Sequence, residues 1–269
     1  MEEQLVRNVV QEVLKRVASR EANASAVSSQ PPSAVPRAAA SYGTTEFVGL
    51  GAGDTIGLVI ANVDRQLHEK MGLDPRFRSI GIIGSRVGAG PQIMAADEGV
   101  KATNTEILSI ELPRDTKGGA GHGCLIIFGA EEVSDARRAV EVTLKELERT
   151  FGDVYVNDAG HLEFQYTARA SYAVEKAFRS PVGKAFGLVL GAPAAIGVLI
   201  CDTAVKAADV EVVGYASPQQ GLSYTNEAAI FITGDSGAVR QSIIAARDLG
   251  LSILSRMGEE PKPLGKPYI

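Results

Sequence analysis

The sequence predicts an α+β protein made of two copies of one small domain. The first observation is an internal repeat. Ala96-Asp97-Glu98-Gly99-Val100-Lys101-Ala102 returns as Cys201-Asp202-Thr203-Ala204-Val205-Lys206-Ala207, with Asp, Val, Lys and Ala in register at an interval of 105 residues. The second is its setting. A Gly-Leu/Ile strand precedes both copies, and an Ile-rich strand ending in Gly129 or Gly234 follows both. A shared period this long means one fold used twice. The third is the alternation of strand and helix patterns, with connections that suit a small mixed sheet carrying helices on one face.

The elements follow in order. Residues 1–18 carry Leu5, Val6, Val9, Val10, Val13, Leu14 and Val17 on one stripe, with Gln11, Glu12, Lys15 and Arg16 off it. That is a short amphipathic helix, marginal alone and in need of a partner surface. Residues 19–43, rich in Ala, Ser and Pro, have the composition of a flexible linker. A helix on such a tether is either a docking peptide or a frayed tail.

The first domain is expected over 44–152, with strands at Glu46–Leu50, Ser79–Gly84, Glu106–Glu111 and Cys124–Gly129 and helices at Asp64–Met71, Met94–Thr103 and Val133–Arg149. The second is expected over 153–260. Its strands are His161–Thr167, Phe186–Leu190, Glu211–Ala216 and Ala228–Gly234, and its helices are Tyr172–Phe178, Gly197–Ala207 and Ser236–Arg256. Residues 261–269 are read as a C-terminal tail.

Composition narrows the function. No apolar run approaches the ~18 residues of a membrane span, and the N-terminus has no secretory h-region. A net charge of −5 without a basic run, and the absence of Trp, argue against nucleic acid. Cys124 and Cys201 sit in apolar segments and read as reduced, buried thiols of a cytoplasmic protein.

No catalytic constellation emerges. Ser85–Gln92 follows a strand and opens a helix, as a dinucleotide loop would. However, Gly88-x-Gly90-x-x leads to Ile93 where the third glycine belongs, and Pro91 removes a backbone donor. Thr116–Gly123 resembles a phosphate loop in composition only. His68, His122 and His161 are scattered, so no metal is expected. Asp97 and Asp202 each lie in a helix among apolar residues, where a structural hydrogen bond is the expected use. No enzyme activity and no cofactor are expected.

Three segments carry a resemblance: Ala208–Tyr215 with Gly221-Leu222, Ile232–Val239, and Ala95-Ala96-Asp97 with Val100-Lys101-Ala102. Together they resemble the bacterial microcompartment shell domain, which has a ferredoxin-like fold. Segments like Glu163–Arg169 come before the Gly187-Leu188 strand, so the order of strands looks circularly permuted. Two permuted copies resemble the tandem, trimer-forming subclass of these shell proteins, of the kind found in propanediol-utilisation microcompartments.

The resemblance implies a homotrimer with a pseudohexameric outline, tiling with other shell proteins around encapsulated enzymes. The N-terminal helix would link shell to cargo. The resemblance places the tile edge at Lys101, Asn104, Arg169 and Lys206, with Asp209 and Asn62 departing from the pattern in the opposite copies. It places central-pore loops at Thr116, Lys117, Gly119, Gly121 and His122 and at Gln219, Gln220 and Ser223. A small channel within each subunit would be lined by Ser85, Arg86, Gly88, Gly90 and Gln92, opposite Pro193 and Ala194. Such a lining suits small neutral polyols such as propanediol or glycerol. The competing readings are a regulatory protein binding a small molecule at the Gly-rich loops, and an enzyme binding a phosphorylated ligand there.

Overall fold

The computed structural model describes residues 45–113, 123–220 and 225–269. The expected N-terminal helix and linker lie outside them.

One order of elements runs twice. The first pass is β1 (Phe47–Gly51), β2 (Thr55–Ile60), α1 (Arg65–Lys70), β3 (Ser79–Ser85), α2 (Gly90–Lys101), β4 (Glu106–Glu111), β5 (Cys124–Ala130) and α3 (Val133–Thr150). The second is β6 (Val154–Asn157), β7 (Gly160–Thr167), α4 (Tyr172–Phe178), β8 (Ala185–Ala192), α5 (Ala194–Ala207), β9 (Val210–Ala216), β10 (Ala228–Gly234) and α6 (Ser236–Leu254), followed by the short β11 (Lys262–Pro263).

The strands form two sheets, β1-β2-β3-β5-β4 and β11-β6-β7-β8-β10-β9. All the pairings are antiparallel, which corrects the expectation of a mixed sheet. The reason is topological. β3 and β4 are joined through α2, but β5 returns between them and separates the two strands that would otherwise pair in parallel.

The register repeats as well as the order. Glu106 pairs with Gly129 and Ile107 with Phe128, then a bulge at Leu108 shifts the next pair to Ser109 and Ile127. Glu211 pairs with Thr233 and Val212 with Ile232, and a bulge at Val213 shifts the next pair to Gly214 and Phe231. The two bulged residues are 105 apart, as Asp97 and Asp202 are. Bulges re-aim a strand at a defined point.

Two hairpins are invisible to the hydrophobic pattern. β2 and β6 are each paired to a neighbouring strand by a short turn, Gly53 and Asp54 turning the first with φ of 71° and 50°. Glycines hide the first hairpin. A Cβ on Gly57 would lie 2.5 Å from Val140, and one on Gly81 2.8 Å from the Ala136 carbonyl. α3 therefore lies directly on the strand backbones, presenting Ala136, Ala139, Val140, Thr143, Leu147 and Thr150 at helical spacing.

In the second repeat Leu162, Phe164, Val189, Ile200, Ile232 and Ile243 fill the corresponding core. α2 begins at Gly90, earlier than expected, because Pro91 sits in its first turn, where the missing N–H has no helical partner to lose. The end of the segment 261–269, read as a tail, is tied down. The Tyr268 and Ile269 amides donate to Asp153 Oδ2 at 2.8 and 3.1 Å, and Arg247 Nη1 donates to the Ile269 carbonyl at 2.8 Å.

Candidate functional site

The feature that the sequence does not announce is the junction between the repeats. α4 of the second repeat packs on α2 and β4 of the first. Ala170, Ala173, Val174 and Phe178 bury in one cluster with Ile93, Met94 and Ile107. Phe178 stacks on Phe186 with centroids 5.1 Å apart and leans on Phe231 at 4.7 Å.

At the start of α4, the Ser171 amide donates to Asp97 Oδ1 at 2.9 Å, and the Ser171 hydroxyl donates to the same oxygen. Lys101 Nζ reaches the other oxygen, Oδ2, at 2.6 Å. Asp97 is thus a buried structural acceptor. Asp202, its repeat equivalent, is half-exposed and pairs with Lys206 at 2.7 Å.

That contrast runs along the whole junction. At the 105-residue interval, Val198, Leu199, Val205, Val212 and Tyr215 stand where Ile93, Met94, Val100, Ile107 and Ile110 stand in the first repeat. Ile93 and Ile107 are 0% and 7% exposed; Val198 and Val212 are 51% and 44% exposed. On the covering helix the contrast reverses. Val174 and Phe178 are buried, whereas Leu67 and Met71, their counterparts on α1, are exposed. Each chain therefore has one complete junction and the two uncovered halves of a second.

The expected edge residues divide between these environments. Lys101 holds Asp97 and Glu98 and reaches Thr167 Oγ1 at 3.4 Å, beside the exposed Arg169. Asn104 and Lys206 are exposed. Gln219 and Gln220 are exposed on a turn after β9. Thr116, Lys117, Gly119, Gly121, His122 and Ser223 lie outside the described residues.

The residues expected to line the channel are placed as follows. Gln92 is wholly buried, and its Nε2 donates to Thr55 Oγ1 at 3.1 Å and to the Val87 carbonyl at 2.9 Å. Gly90 is the first residue of α2. A Cβ there would lie 1.9 Å from Glu163 Oε1 and 3.5 Å from Leu188. Ser85 donates its hydroxyl to Cys124 Sγ at 3.2 Å, Arg86 is exposed, and Gly88 is buried with φ 79°. Pro193 follows a cis peptide bond, and the Ala194 amide donates to Asn226 Oδ1 at 3.1 Å.

Glu163 is one of a buried polar set, with His161, Gln165 and Glu227, that scattered single letters could not reveal. The period-2 row His161-x-Glu163-x-Gln165 on a strand was the available signal. Among the described residues no cluster could hold a metal ion, and no helix is long and apolar enough to cross a membrane.

The comparisons agree with this architecture. The BMC domain pattern matches residues 79–158 and 185–258. The bacterial microcompartment shell protein PduB of Citrobacter freundii is 59% identical over 266 residues, covering 99% of this chain and 98% of that protein. The crystal structure of a trimeric bacterial microcompartment shell protein PduB superimposes with a TM-score of 0.81 at 53% identity, covering 84% of this chain and 100% of that one. EtuB from Clostridium kluyveri gives 0.81 at 61% identity, covering 84% and 99%. A twice-run, permuted α+β unit, matched by the domain pattern in both copies, makes this chain a member of the BMC domain family of bacterial microcompartment shell proteins.

Proposed function

We propose that the chain is a structural tile of a propanediol-utilisation microcompartment shell in the bacterial cytoplasm, assembled as a homotrimer from domains spanning 44–152 and 153–260. The observation that carries this reading is the half-junction. α1 of one copy, with Leu67 and Met71, fits over α5 and β9 of the next as α4 fits over α2 and β4 within the chain. Each chain offers one donor half and one acceptor half, which makes a head-to-tail contact, and a contact of that kind forms a ring where its rotation closes. Three chains then place six equivalent domains around one axis. The trimeric PduB relative supports the count of three.

The Leu199→Asp variant tests this reading. Sedimentation should give trimers for the parent protein and folded monomers for the variant, because a charge would be buried in an apolar contact. A variant that remains trimeric overturns the assignment of this face.

The tile edge is assigned to Lys101, Asn104, Arg169 and Lys206, and the central pore to the loops around 114–122 and 217–224. Passage of small polyols through each subunit is assigned to the segment Ser85–Gly88 with Pro193 and Ala194, where backbone groups replace lost water. Residues 1–18 are assigned to cargo linkage. Removing them should leave trimers intact and reduce the enzymes recovered with purified shells; full recovery overturns that role.

A further inference from the structure

We propose that Glu163 and Glu227 form a pH-operated latch between the two repeats of one chain, closed while Glu163 is protonated and loosened when it ionises. The placement comes first. Glu163 lies on β7, on the face turned toward the first repeat, and meets the start of α2 at Gly90. It is 4% exposed, and Glu227 is 3% exposed.

The two acids are served unequally. Glu227 has His161 Nε2 at 3.0 Å from its Oε1, and the Thr225 hydroxyl donates to its other oxygen. Among the described residues, the side chain that donates to Glu163 is Gln165, with Nε2 at 3.5 Å, and that group also donates to the Thr150 carbonyl at 2.9 Å. An ionised carboxylate buried with so little donor support is costly. Glu227 is therefore the anion of the pair and Glu163 the neutral acid.

Among the described residues, the strands and helix packed against Glu163 place apolar side chains or glycine beside it. β8 contributes Leu188 and Leu190, β6 contributes Val154, and α2 contributes Gly90. Tyr268 lies within electrostatic reach, but burial pushes its phenol up to about 12, so it stays neutral. Burial, then the negative charge of Glu227, push the Glu163 carboxyl up to about 8, against a smaller opposing effect of Gln165.

The arrangement is specific to this junction. At the positions of Glu163, Gln165 and Thr167, the first repeat carries Ile56, Leu58 and Ile60, fixed by the matching register of β2 on β3 and β7 on β8. At these three positions the first repeat is therefore apolar.

The direction follows from linkage. An opened junction returns Glu163 to an ordinary carboxyl near 4.5. Between about 4.5 and 8 the closed form holds a proton that the open form releases. Closing therefore weakens as pH rises, by up to ~10-fold per unit, and levels off above about 8.

Hydrogen exchange on the intact full-length protein from pH 5.5 to 9 tests the latch, with intrinsic exchange rates divided out. Protection of the Ile93 and Met94 amides and of β7 should fall by as much as ~100-fold from pH 6 to pH 8 and then stay flat. Protection in α6 should not change. Glu163→Gln should remove the pH dependence, and Glu227→Gln should move the break to lower pH. A flat parent profile, a slope that survives Glu163→Gln, or parallel loss of protection in α6 overturns the proposal. If Glu163→Gln fails to fold, the parent profile and Glu227→Gln decide it.

Discussion

The Ser171 amide donates to Asp97 Oδ1 at 2.9 Å across 74 residues of sequence, tying the first turn of α4 to the middle of α2. Asp97 has no exposed side-chain surface, and its second oxygen is taken by Lys101. Asp97→Ala would leave the Ser171 donors and a partly buried ammonium without their acceptor. A loss of ~2–4 kcal/mol is expected in denaturant unfolding. A loss below ~0.5 kcal/mol would mean that the contact contributes little to the junction.

The paired lysines should separate by phenotype. Lys206→Ala should weaken sheet assembly without altering the stability of the trimer, since its ion pair with Asp202 is solvent-exposed. Lys101→Ala should also lower folding stability, by ~1–3 kcal/mol, because it uncovers a buried carboxylate. Equal melting temperatures for the two variants would contradict this distinction.

Phe178 and Met71 occupy equivalent positions but should fail differently. Phe178→Ala opens a cavity beside Phe186 and Phe231 and should cost ~3–5 kcal/mol of folding stability. Met71→Asp should leave the fold intact and shift the trimer toward monomers. Circular dichroism melts beside sedimentation velocity distinguish the two, and a monomeric, fully stable Phe178→Ala would refute the pairing.

Gly90 reports on the latch. Even Gly90→Ala would bring a methyl group 1.9 Å from Glu163 Oε1, so that side chain must move. The variant should lose ~1–3 kcal/mol, and adding Glu163→Ala should recover part of it in a double-mutant cycle. Strict additivity would show that the two residues do not touch.

The thiols should be silent. Burial pushes Cys124 up to about 11 and Cys201 up to about 12, so both remain protonated and enclosed at pH 8. Iodoacetamide should label neither in the native protein and both after denaturation. Rapid native labelling of Cys201 would mean that α5 opens readily.

Much of the fold was legible because one pattern is written twice. α4, β4 and β10 fall on the residues that periodicity assigns. β2 and β6 did not stand out, since Gly57 interrupts the first and the second has four residues. The start of α2 was hidden by a glycine and a proline that read as a loop until a helix covers them. The junction was hidden for a different reason. Ile93 and Val198 are the same kind of residue in the same kind of helix, and only a covering element tells them apart. Glu163 and Glu227 were equally mute, being 64 positions apart in the chain.

The bulge at Leu108 recurs at Val213, so this irregularity belongs to the unit that the chain uses twice. Joining changed what each seam must do. The halves of one chain are held near each other by the short connection from α3 to β6, at a high effective concentration, and need little surface attraction to meet. Beside its apolar cluster, that seam carries the buried acids and amides of Glu163, Gln165 and Glu227. The proposed seam between separate chains must gather its partners from dilute solution, and the face offered for it exposes Val198, Leu199, Val205 and Val212.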